Sequence, residues 1–382
     1  MSPARPGGAP SAGVRPSLAI LKSGDYGSWQ DGYRRGLHAG DVGPYGMRGL
    51  EQAGFRLRIG DGASRLPWRS PAVARPLRKI GHLRPELSGL QGALSSIPLL
   101  ARADATLAVF EDQGLCAASA KARGLAPFAG RPLAVVSCWL AETWMEMDGR
   151  TLDAVRRALA AVDVLFFFSA NQAEVFEHEL GVDPARLACV PFGIDHRFFS
   201  PRPEAGGRGI LAVGRDHSRD HALLIEAVRG TGMPLRLVGP EPGSLGDLPA
   251  EVELISQFDH LAYREALAGA AVVAVPTIAP AYPSGQTVVL EAMSMGRALV
   301  VTDSPAMRDY VTPGLNGELV PPGDATALSR VLRELLADPG RRERLGLAGR
   351  ETVERRFNDR LMWEAVAERL REIMPRPRRG DS

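Results

Sequence analysis

Two arginines in the second half of the chain are placed where they could hold an anionic ligand. Arg215 and Arg219 lie in the loop 214–219, between a predicted strand and a predicted helix. In open α/β sheets, ligands bind beyond the carboxyl ends of strands, and helix N-termini at that edge favour phosphate. Two guanidinium groups there could grip a diphosphate bidentately. The alternative is a pair of solvated surface arginines, which residue types alone favour.

A single carboxylate, Glu291, interrupts the apolar segment 287–295, which is predicted to be a helix buried on most of its faces. Burying a carboxylate is costly unless neighbouring groups donate hydrogen bonds to it. Glu291 therefore either bonds a nearby backbone N–H or arginine, or contacts a ligand. The turn Pro283-Ser284-Gly285 before the helix presents free N–H groups to an anion. Residue types alone favour the structural alternative.

The elements that position these residues alternate between short apolar strands and helices. Predicted strands lie at 17–21, 55–59, 106–110, 133–138, 164–168, 187–191, 209–213, 235–238, 252–256, 271–276, 298–302 and 318–320. Predicted helices lie at 47–53, 113–123, 152–162, 172–179, 221–229, 287–295, 327–337, 342–355 and 362–373, with Ser169 as the N-cap of the fourth. This order predicts an α/β fold with doubly wound parallel sheets.

The chain has 382 residues, which is too long for one ordinary core. We predict a disordered leader at 1–15, an N-terminal domain at 16–200 and a second domain at 201–355. A final helix at 356–374 and a tail at 375–382 follow. The segment 192–203, FGIDHRFFSPRP, is the predicted hinge, because Gly193 permits a turn and a Pro- and Gly-rich run follows it.

The composition is that of a soluble globular protein, with 45% hydrophobic and 24% charged residues. A net charge of +2 gives no electrostatic case for nucleic acid, and peripheral membrane contact has no support. The three cysteines show neither paired nor metal-ligand spacing, which predicts reduced thiols. The leader lacks the apolar core of a signal peptide, and no apolar run reaches membrane-spanning length. We expect a cytoplasmic protein.

The segment Val289-Leu290-Glu291-Ala292-Met293, followed by Asn316-Gly317 and Pro321-Pro-Gly-Asp324, resembles the signature of family-4 retaining glycosyltransferases. The hinge also resembles the interdomain segment of that family. The resemblance implies the GT-B fold, in which two Rossmann-like domains face a central cleft and the C-terminal helix crosses back to the N-terminal domain. It further implies carbohydrate biosynthesis, with a sugar transferred from a UDP-, GDP- or dTDP-type donor to a hydroxyl acceptor. The resemblance also implies that the anomeric configuration is retained and that no metal or cofactor is needed besides the nucleotide-sugar co-substrate.

By this resemblance, Glu291 binds the donor ribose, and Arg215 and Arg219 bind the donor diphosphate. Further donor contacts are expected from Gly214, Ser284, Gly285, Gln286, Thr287, Leu254 and Phe258. The family signature is Glu-x7-Glu, and its first Glu falls at Pro283 here. This departure predicts a relaxed or altered choice of donor sugar, unless another side chain replaces that carboxylate in space.

The acceptor side is less defined, because the connection 22–45 is long, Gly-rich and aromatic. It either faces the cleft or is a surface excursion. The acceptor-side candidates are Tyr26, Trp29, His38, Tyr45, Gly46 and Trp139. Cys138 is predicted to be a small core residue, because no His or basic partner lies near it in sequence.

Two other functions fit the same fold. One is a nucleotide-sugar epimerase, for which no acid/base carboxylate or His is identified in the cleft. The other is a non-catalytic nucleotide-sugar-binding protein, which the loss of the carboxylate at Pro283 makes credible. Kinase and NAD-dehydrogenase functions are disfavoured, because neither a phosphate-binding P-loop nor a Gly-x-Gly-x-x-Gly motif after the first strand is present.

Overall fold

The computed structural model describes residues 15–22, 35, 46–59, 76, 87, 90–202, 207–241, 243–255 and 259–374. Their strands form two six-stranded parallel sheets, one in each half of the chain. The strand orders are β2-β1-β3-β4-β5-β6 and β12-β11-β10-β7-β8-β9, so both sheets are doubly wound. The predicted fold class is confirmed.

The first domain contains β1 (Ser17–Lys22), α1 (Arg48–Gln52), β2 (Arg56–Ile59), α2 (Leu90–Ser95), α3 (Ile97–Leu100), β3 (Ala105–Val109), α4 (Glu111–Ala122), β4 (Leu133–Val136), α5 (Leu140–Thr143), α6 (Gly149–Leu159), β5 (Val164–Phe167), α7 (Gln172–Glu174) and β6 (Leu187–Cys189). A π-helical turn, Val175–Glu179, continues α7. Short 3-10 turns lie at Trp144–Glu146 and Pro184–Arg186.

The second domain contains β7 (Ile210–Val213), α8 (His221–Val228), β8 (Leu235–Val238), β9 (Val252–Ile255), α9 (His260–Ala268), β10 (Val272–Val275), α10 (Gln286–Ser294), β11 (Ala298–Thr302), β12 (Glu318–Val320), α11 (Ala325–Ala337) and α12 (Pro339–Arg356). A 3-10 turn lies at Met307–Asp309. The last helix described is α13 (Asp359–Ile373). The predicted domain boundary at residue 200 falls between β6 and β7.

The central strands are buried along their whole length, which explains why they are continuous apolar runs. Every residue of β3, β4, β5, β10 and β11 is buried. Parallel strands covered by helices on both faces require this pattern. The outer faces of the two sheets have separate cores, whereas one cluster continues from the first domain to the second through Phe192, Tyr310 and Phe357.

The C-terminal helix α13 returns to the first domain, as predicted. A Cβ on Gly49 of α1 would lie 2.7 Å from the Trp363 Cβ, so the two helices touch at a position that only glycine fits. The Gly193 N–H in the hinge donates to Met362 Sδ at 3.2 Å, and the Arg371 guanidinium lies over the Phe55 ring.

Among the described elements, helices α2, α3, α5 and α9 were not predicted, and one predicted N-cap needs correction. Ser169 is not the N-cap of the helix at 172–179, because the capping position is Asn171, whose side chain makes no capping bond. The Ser169 hydroxyl instead donates to Gln172 Oε1 at 3.1 Å.

Several sequence predictions lie outside the described residues. These are the leader up to residue 14, nearly all of the connection 22–45, and the tail from residue 375. Among the helices that the structure describes, none combines the length and apolar character needed to cross a bilayer.

Candidate active site

Three glycines bring backbone together at the carboxyl edge of the second sheet. Gly214 follows β7, Gly239 follows β8, and Gly285 is the N-cap of α10 with a φ of 84°. A Cβ on Gly239 would lie 2.6 Å from the Gly214 carbonyl oxygen. A side chain at any of these positions would clash, so glycine is what allows these segments to pack so closely.

The Arg219 guanidinium lies between two of these glycines. A Cβ on Gly214 would meet Arg219 Nε at 2.7 Å, and one on Gly285 would meet Arg219 Nη1 at 2.6 Å. Arg219 Nε is buried and has no hydrogen-bond partner. A buried donor without a partner is uncommon in a folded protein and calls for a ligand or a water. The arrangement therefore aligns a cation with the N-terminus of α10, and both features attract anions.

Asp216, which precedes Arg219 in the same loop, organises the turn before α10. Asp216 Oδ1 accepts from the Ser218 N–H at 3.0 Å, the Tyr282 hydroxyl at 2.6 Å and the Ser284 hydroxyl at 3.1 Å. Although burial raises the pKa of Asp216, the bonds from Ser218, Tyr282 and Ser284 lower it to about 2. A charged carboxylate is thus held against the residues on both sides of Pro283.

Glu291, two turns along α10, is paired with a tyrosine of α9. The Tyr263 hydroxyl donates to Glu291 Oε2 at 2.5 Å. Burial raises the pKa of Glu291 to about 7, although the Tyr263 bond works in the opposite direction. Near neutral pH the carboxyl group is therefore divided between its charged and neutral forms.

The facing edge of the first domain contains a buried carboxylate that the sequence analysis did not single out. Glu111 Oε1 accepts from the Ser137 hydroxyl and from the N–H groups of Cys138, Trp139 and Leu140, all within 2.9 Å. Glu111 Oε2 is buried without a partner, and burial raises the pKa of this group. Four donors on one oxygen fix the loop after β4.

This loop presents Trp139 beside Phe110, with ring centroids 5.2 Å apart. Phe110 has a φ of 78°, a conformation that is uncommon for a bulky residue and is concentrated at functional sites. Cys138 is buried, as predicted, and its pKa is raised by burial and then by the charges of Glu111 and Asp216. Because Asp216 belongs to the second domain, the two edges face each other at short range.

Hydrogen bonds across the cleft join the domains. Glu142 Oε2 accepts from the Ala281 N–H at 2.6 Å, and the Asn171 amide donates to the Ala281 carbonyl oxygen at 2.7 Å. Asp309 Oδ2 accepts from the Ala170 N–H at 2.6 Å. The loop that precedes the Pro283 turn is therefore held by the first domain.

The structure brings some of the predicted donor residues together and places others apart. Gly214, Arg219, Ser284 and Gly285 come together, and Gln286 and Thr287 begin α10, with Gln286 Oε1 buried and unpartnered. Arg215 lies in the same loop and is exposed. Leu254 lies in β9, the edge strand beside β8, and Glu291 lies deeper in α10.

Of the acceptor candidates, the structure describes Gly46 and Trp139. Gly46 faces Asp359 of α13, where a Cβ would lie 2.6 Å from Asp359 Oδ2. The acceptor candidates Tyr26, Trp29, His38 and Tyr45, and the donor candidate Phe258, lie outside the described residues. In the part of the chain that is described, no group of three His, Cys, Asp or Glu side chains is placed to hold a metal ion.

The sequence analysis missed Asp216, Tyr263 and Glu111. Asp216 could have been found, because it lies between the two arginines already selected. Tyr263 was missed together with its helix, whose start was marked by Asp259, a side chain that caps the Ala262 N–H. The sequence around Glu111 gave no indication of its role, because its hydrogen-bond donors lie 26 to 29 residues later in the chain.

Comparison with known proteins identifies a family for part of the second domain. Residues 207–338 match the family model of glycosyl transferases group 1. The chain is 28% identical over 201 residues to a phosphatidyl-myo-inositol mannosyltransferase of Mycobacterium leprae, covering 48% of this chain and 52% of that protein. It is 29% identical over 263 residues to a D-inositol 3-phosphate glycosyltransferase of Xylanimonas cellulosilytica, covering 60% of each. The matches thus span between half and two thirds of these two relatives.

Solved structures share the fold over nearly the whole chain. Sucrose-phosphate synthase from Thermosynechococcus elongatus superposes with a TM-score of 0.69 at 20% identity, covering 94% of this chain and 98% of that one. Anabaena HepE in complex with UDP-glucose gives a TM-score of 0.66 at 17% identity, covering 93% and 99%. Residues 207–338 are therefore a glycosyl transferases group 1 domain, in a chain that has the GT-B fold.

Proposed function

We propose that the protein is a glycosyltransferase that moves a sugar from a nucleotide-sugar donor to a hydroxyl acceptor. The observation that carries the proposal is the Arg219 guanidinium, which lies between Gly214 and Gly285 with an unpartnered Nε. The diphosphate of the donor is the anion that such a site would take, and Arg215 lies in the same loop. The relatives named above are glycosyltransferases, which supports the same reaction class.

In this proposal Arg219 and the N-terminus of α10 stabilise the charge that develops on the leaving diphosphate. Glu291 accepts hydrogen bonds from the donor ribose through its second oxygen. We further propose retention of anomeric configuration, as the resemblance to the family implies. We also propose independence of metal ions, because a cation and helix N–H groups supply the positive charge directly.

The donor sugar has a candidate partner in Asp216. The residue at 283 is proline, which has neither a carboxylate nor an N–H to offer. Asp216 lies against the side chains of both neighbouring residues, Tyr282 and Ser284. We propose that this carboxylate supplies the hydrogen-bond acceptor that Pro283 lacks. An ordinary hexose donor is then as suitable as a deoxy or amino sugar.

The test is incubation of the pure protein with UDP-, GDP- and dTDP-sugars, followed by NMR detection of released sugar. Slow release with the α or β configuration of the donor preserved in the first product supports a retaining transferase. Interconversion of the donor sugar would instead indicate an epimerase, and binding without turnover a non-catalytic protein. Release that requires added divalent metal would contradict metal independence.

A matched pair of variants makes the test specific. Arg219→Gln removes the central cation and should abolish sugar release. Arg330→Gln changes an arginine on the exposed face of α11 that pairs with Glu334, and should leave release unchanged. Equal activity in both variants would overturn the assignment of the site.

A further inference from the structure

A cavity of about 320 Å³ lies at the edge of the second sheet opposite to the candidate active site. It is lined by Gly207, Ala271 and Ala298, each of which precedes or begins a strand. The candidate active site, in contrast, lies where these strands end. The cavity therefore belongs to a different face of the domain, and its volume is within the range of small-molecule sites.

The lining of this cavity is strongly cationic. Arg297, Arg342 and Arg350 contribute to it, and Glu343 is the carboxylate in the lining. Arg350 pairs with Glu354 at 2.7 Å. Arg297 and Arg342 form no salt bridge with any carboxylate in the described part of the chain, and burial alone lowers the pKa of Arg297. Among the described residues, neither of these two positive charges has an anionic partner.

Backbone carbonyls hold both guanidinium groups without using all of their N–H donors. Arg297 reaches the Ala270 carbonyl oxygen at 3.4 Å and the Arg202 carbonyl oxygen at 3.3 Å, and its Nε is buried with no partner. Arg342 Nη1 donates to the Leu335 and Leu336 carbonyl oxygens at 2.6 and 2.8 Å. A guanidinium has five N–H donors, so each group retains some for a ligand.

Two backbone segments pack closely beside the cavity. A Cβ on Gly346 of α12 would lie 2.1 Å from the Gly296 carbonyl oxygen, so α12 touches the turn after α10 directly. Pro201, Met295 and Leu347 supply an apolar side to the same space. A ligand in this space would therefore meet both cationic and apolar side chains.

We propose that this cavity binds a small phosphate monoester with an apolar body, with its phosphate on Arg297 and Arg342. The N–H groups of a guanidinium match the oxygens of a phosphate, and both arginines line the same cavity. The apolar body would pack on Met295 and Leu347. The proposal is independent of the glycosyltransferase assignment, because it involves none of the residues at the carboxyl edge of the sheet.

The test uses phenyl phosphate, with inorganic phosphate and benzoate as comparison probes, in calorimetric titrations of the full chain. The unmodified chain is titrated first, and every further variant is titrated in the Arg219→Gln background, which removes the cation of the candidate active site. Phenyl phosphate should bind more tightly than inorganic phosphate. Binding should weaken roughly tenfold or more when Arg342→Gln is added, since a charge-assisted pair is lost.

Arg333→Gln, on the exposed face of α11, is the control and should not change the affinity. Leu347→Glu is a second variant at a side chain that is 66% exposed, so it should fold normally. It adds a negative charge at the cavity and should also weaken phenyl phosphate binding.

Equal affinity in the Arg342→Gln, Leu347→Glu and control variants would overturn the proposal. So would binding of phenyl phosphate that disappears with Arg219→Gln alone, because that result would place the anion in the candidate active site. Tighter binding of benzoate than of phenyl phosphate would indicate that the cavity prefers a carboxylate, which would contradict the proposed phosphate ligand.

Discussion

The hydroxyl of Tyr310 donates a 2.5 Å hydrogen bond to the carbonyl oxygen of Phe168. It also accepts from the Phe192 N–H at 2.9 Å. Tyr310 belongs to the second domain, Phe168 follows a strand of the first, and Phe192 begins the hinge. One fully buried side chain therefore fixes three segments relative to one another.

We expect Tyr310→Phe to weaken the junction between the domains. The change leaves a buried N–H and a buried carbonyl without their partner, which costs about 1–3 kcal/mol. Hydrogen exchange of the Phe192 amide should become faster. Tyr263→Phe makes the same chemical change wholly inside the second domain and should leave that amide unaffected. Unchanged exchange in Tyr310→Phe would mean that other contacts hold the hinge.

Arg219→Gln should weaken the binding of a nucleoside diphosphate but not that of the bare nucleoside. Hydrogen bonds to charged groups contribute about 1.5–3 kcal/mol, so we expect a loss of roughly 10- to 100-fold. Arg215→Gln should act in the same direction. Isothermal titration with both ligands measures the difference. Equal losses for nucleoside and nucleoside diphosphate would show that the arginines act on the fold rather than on phosphate.

Glu291 should make nucleotide binding depend on pH. Its pKa is about 7, and the ribose hydroxyls would donate to the charged form. Affinity should therefore rise as the pH increases from 6 to 8, and Glu291→Gln should remove this rise. A wild-type affinity that stays constant over this range would contradict the assigned role.

The same pKa predicts the sign of a stability change. A carboxyl group whose pKa is raised in the folded state binds more protons when folded than when unfolded. Its contribution to stability is therefore most favourable below the ordinary Glu pKa of 4.5 and is lost as the pH rises to about 7. Between pH 5 and pH 8, the free energy of unfolding measured with urea should decrease less for Glu291→Gln than for the wild type. An equal decrease in both would place the titrating group elsewhere.

Asp216→Asn should change the selection of the donor sugar. If Asp216 pairs with sugar hydroxyls, the wild type should discriminate against 3- or 4-deoxy donors by as much as about 10⁴-fold in kcat/KM. The variant should lose most of this discrimination, whereas Asp247→Asn at an exposed position should keep it. Little discrimination in the wild type would instead support the relaxed donor choice expected from Pro283.

The strands could be predicted within one or two residues because buried parallel strands are continuous apolar runs with few alternatives. The segment 298–302 is an example, since β11 has these bounds. Helix α9 was missed because Arg264 and Glu265 interrupt its apolar pattern, and only Asp259 and Gly269 marked its ends. Elements with a strong local pattern could therefore be predicted from the sequence. Elements whose structure depends on packing against distant residues could not.

The candidate site was predictable only in part, for a related reason. The loop with Arg219 and the turn at Gly285 could be recognised because both lie next to predicted helix starts. The pair Tyr263–Glu291 and the bonds of Glu111 join residues that are 26 to 29 positions apart. Such distant pairs have no local pattern, and only the fold brings them together.

The return of α13 to the first domain has a consequence for the order in which the chain matures. During synthesis the first domain leaves the ribosome long before Trp363 and Arg371 are made, so the surface around Gly49 and Phe55 is uncovered. The second domain must be completed before the helix that covers this surface exists. The nascent chain therefore exposes this surface of the first domain until the segment 359–373 has been made.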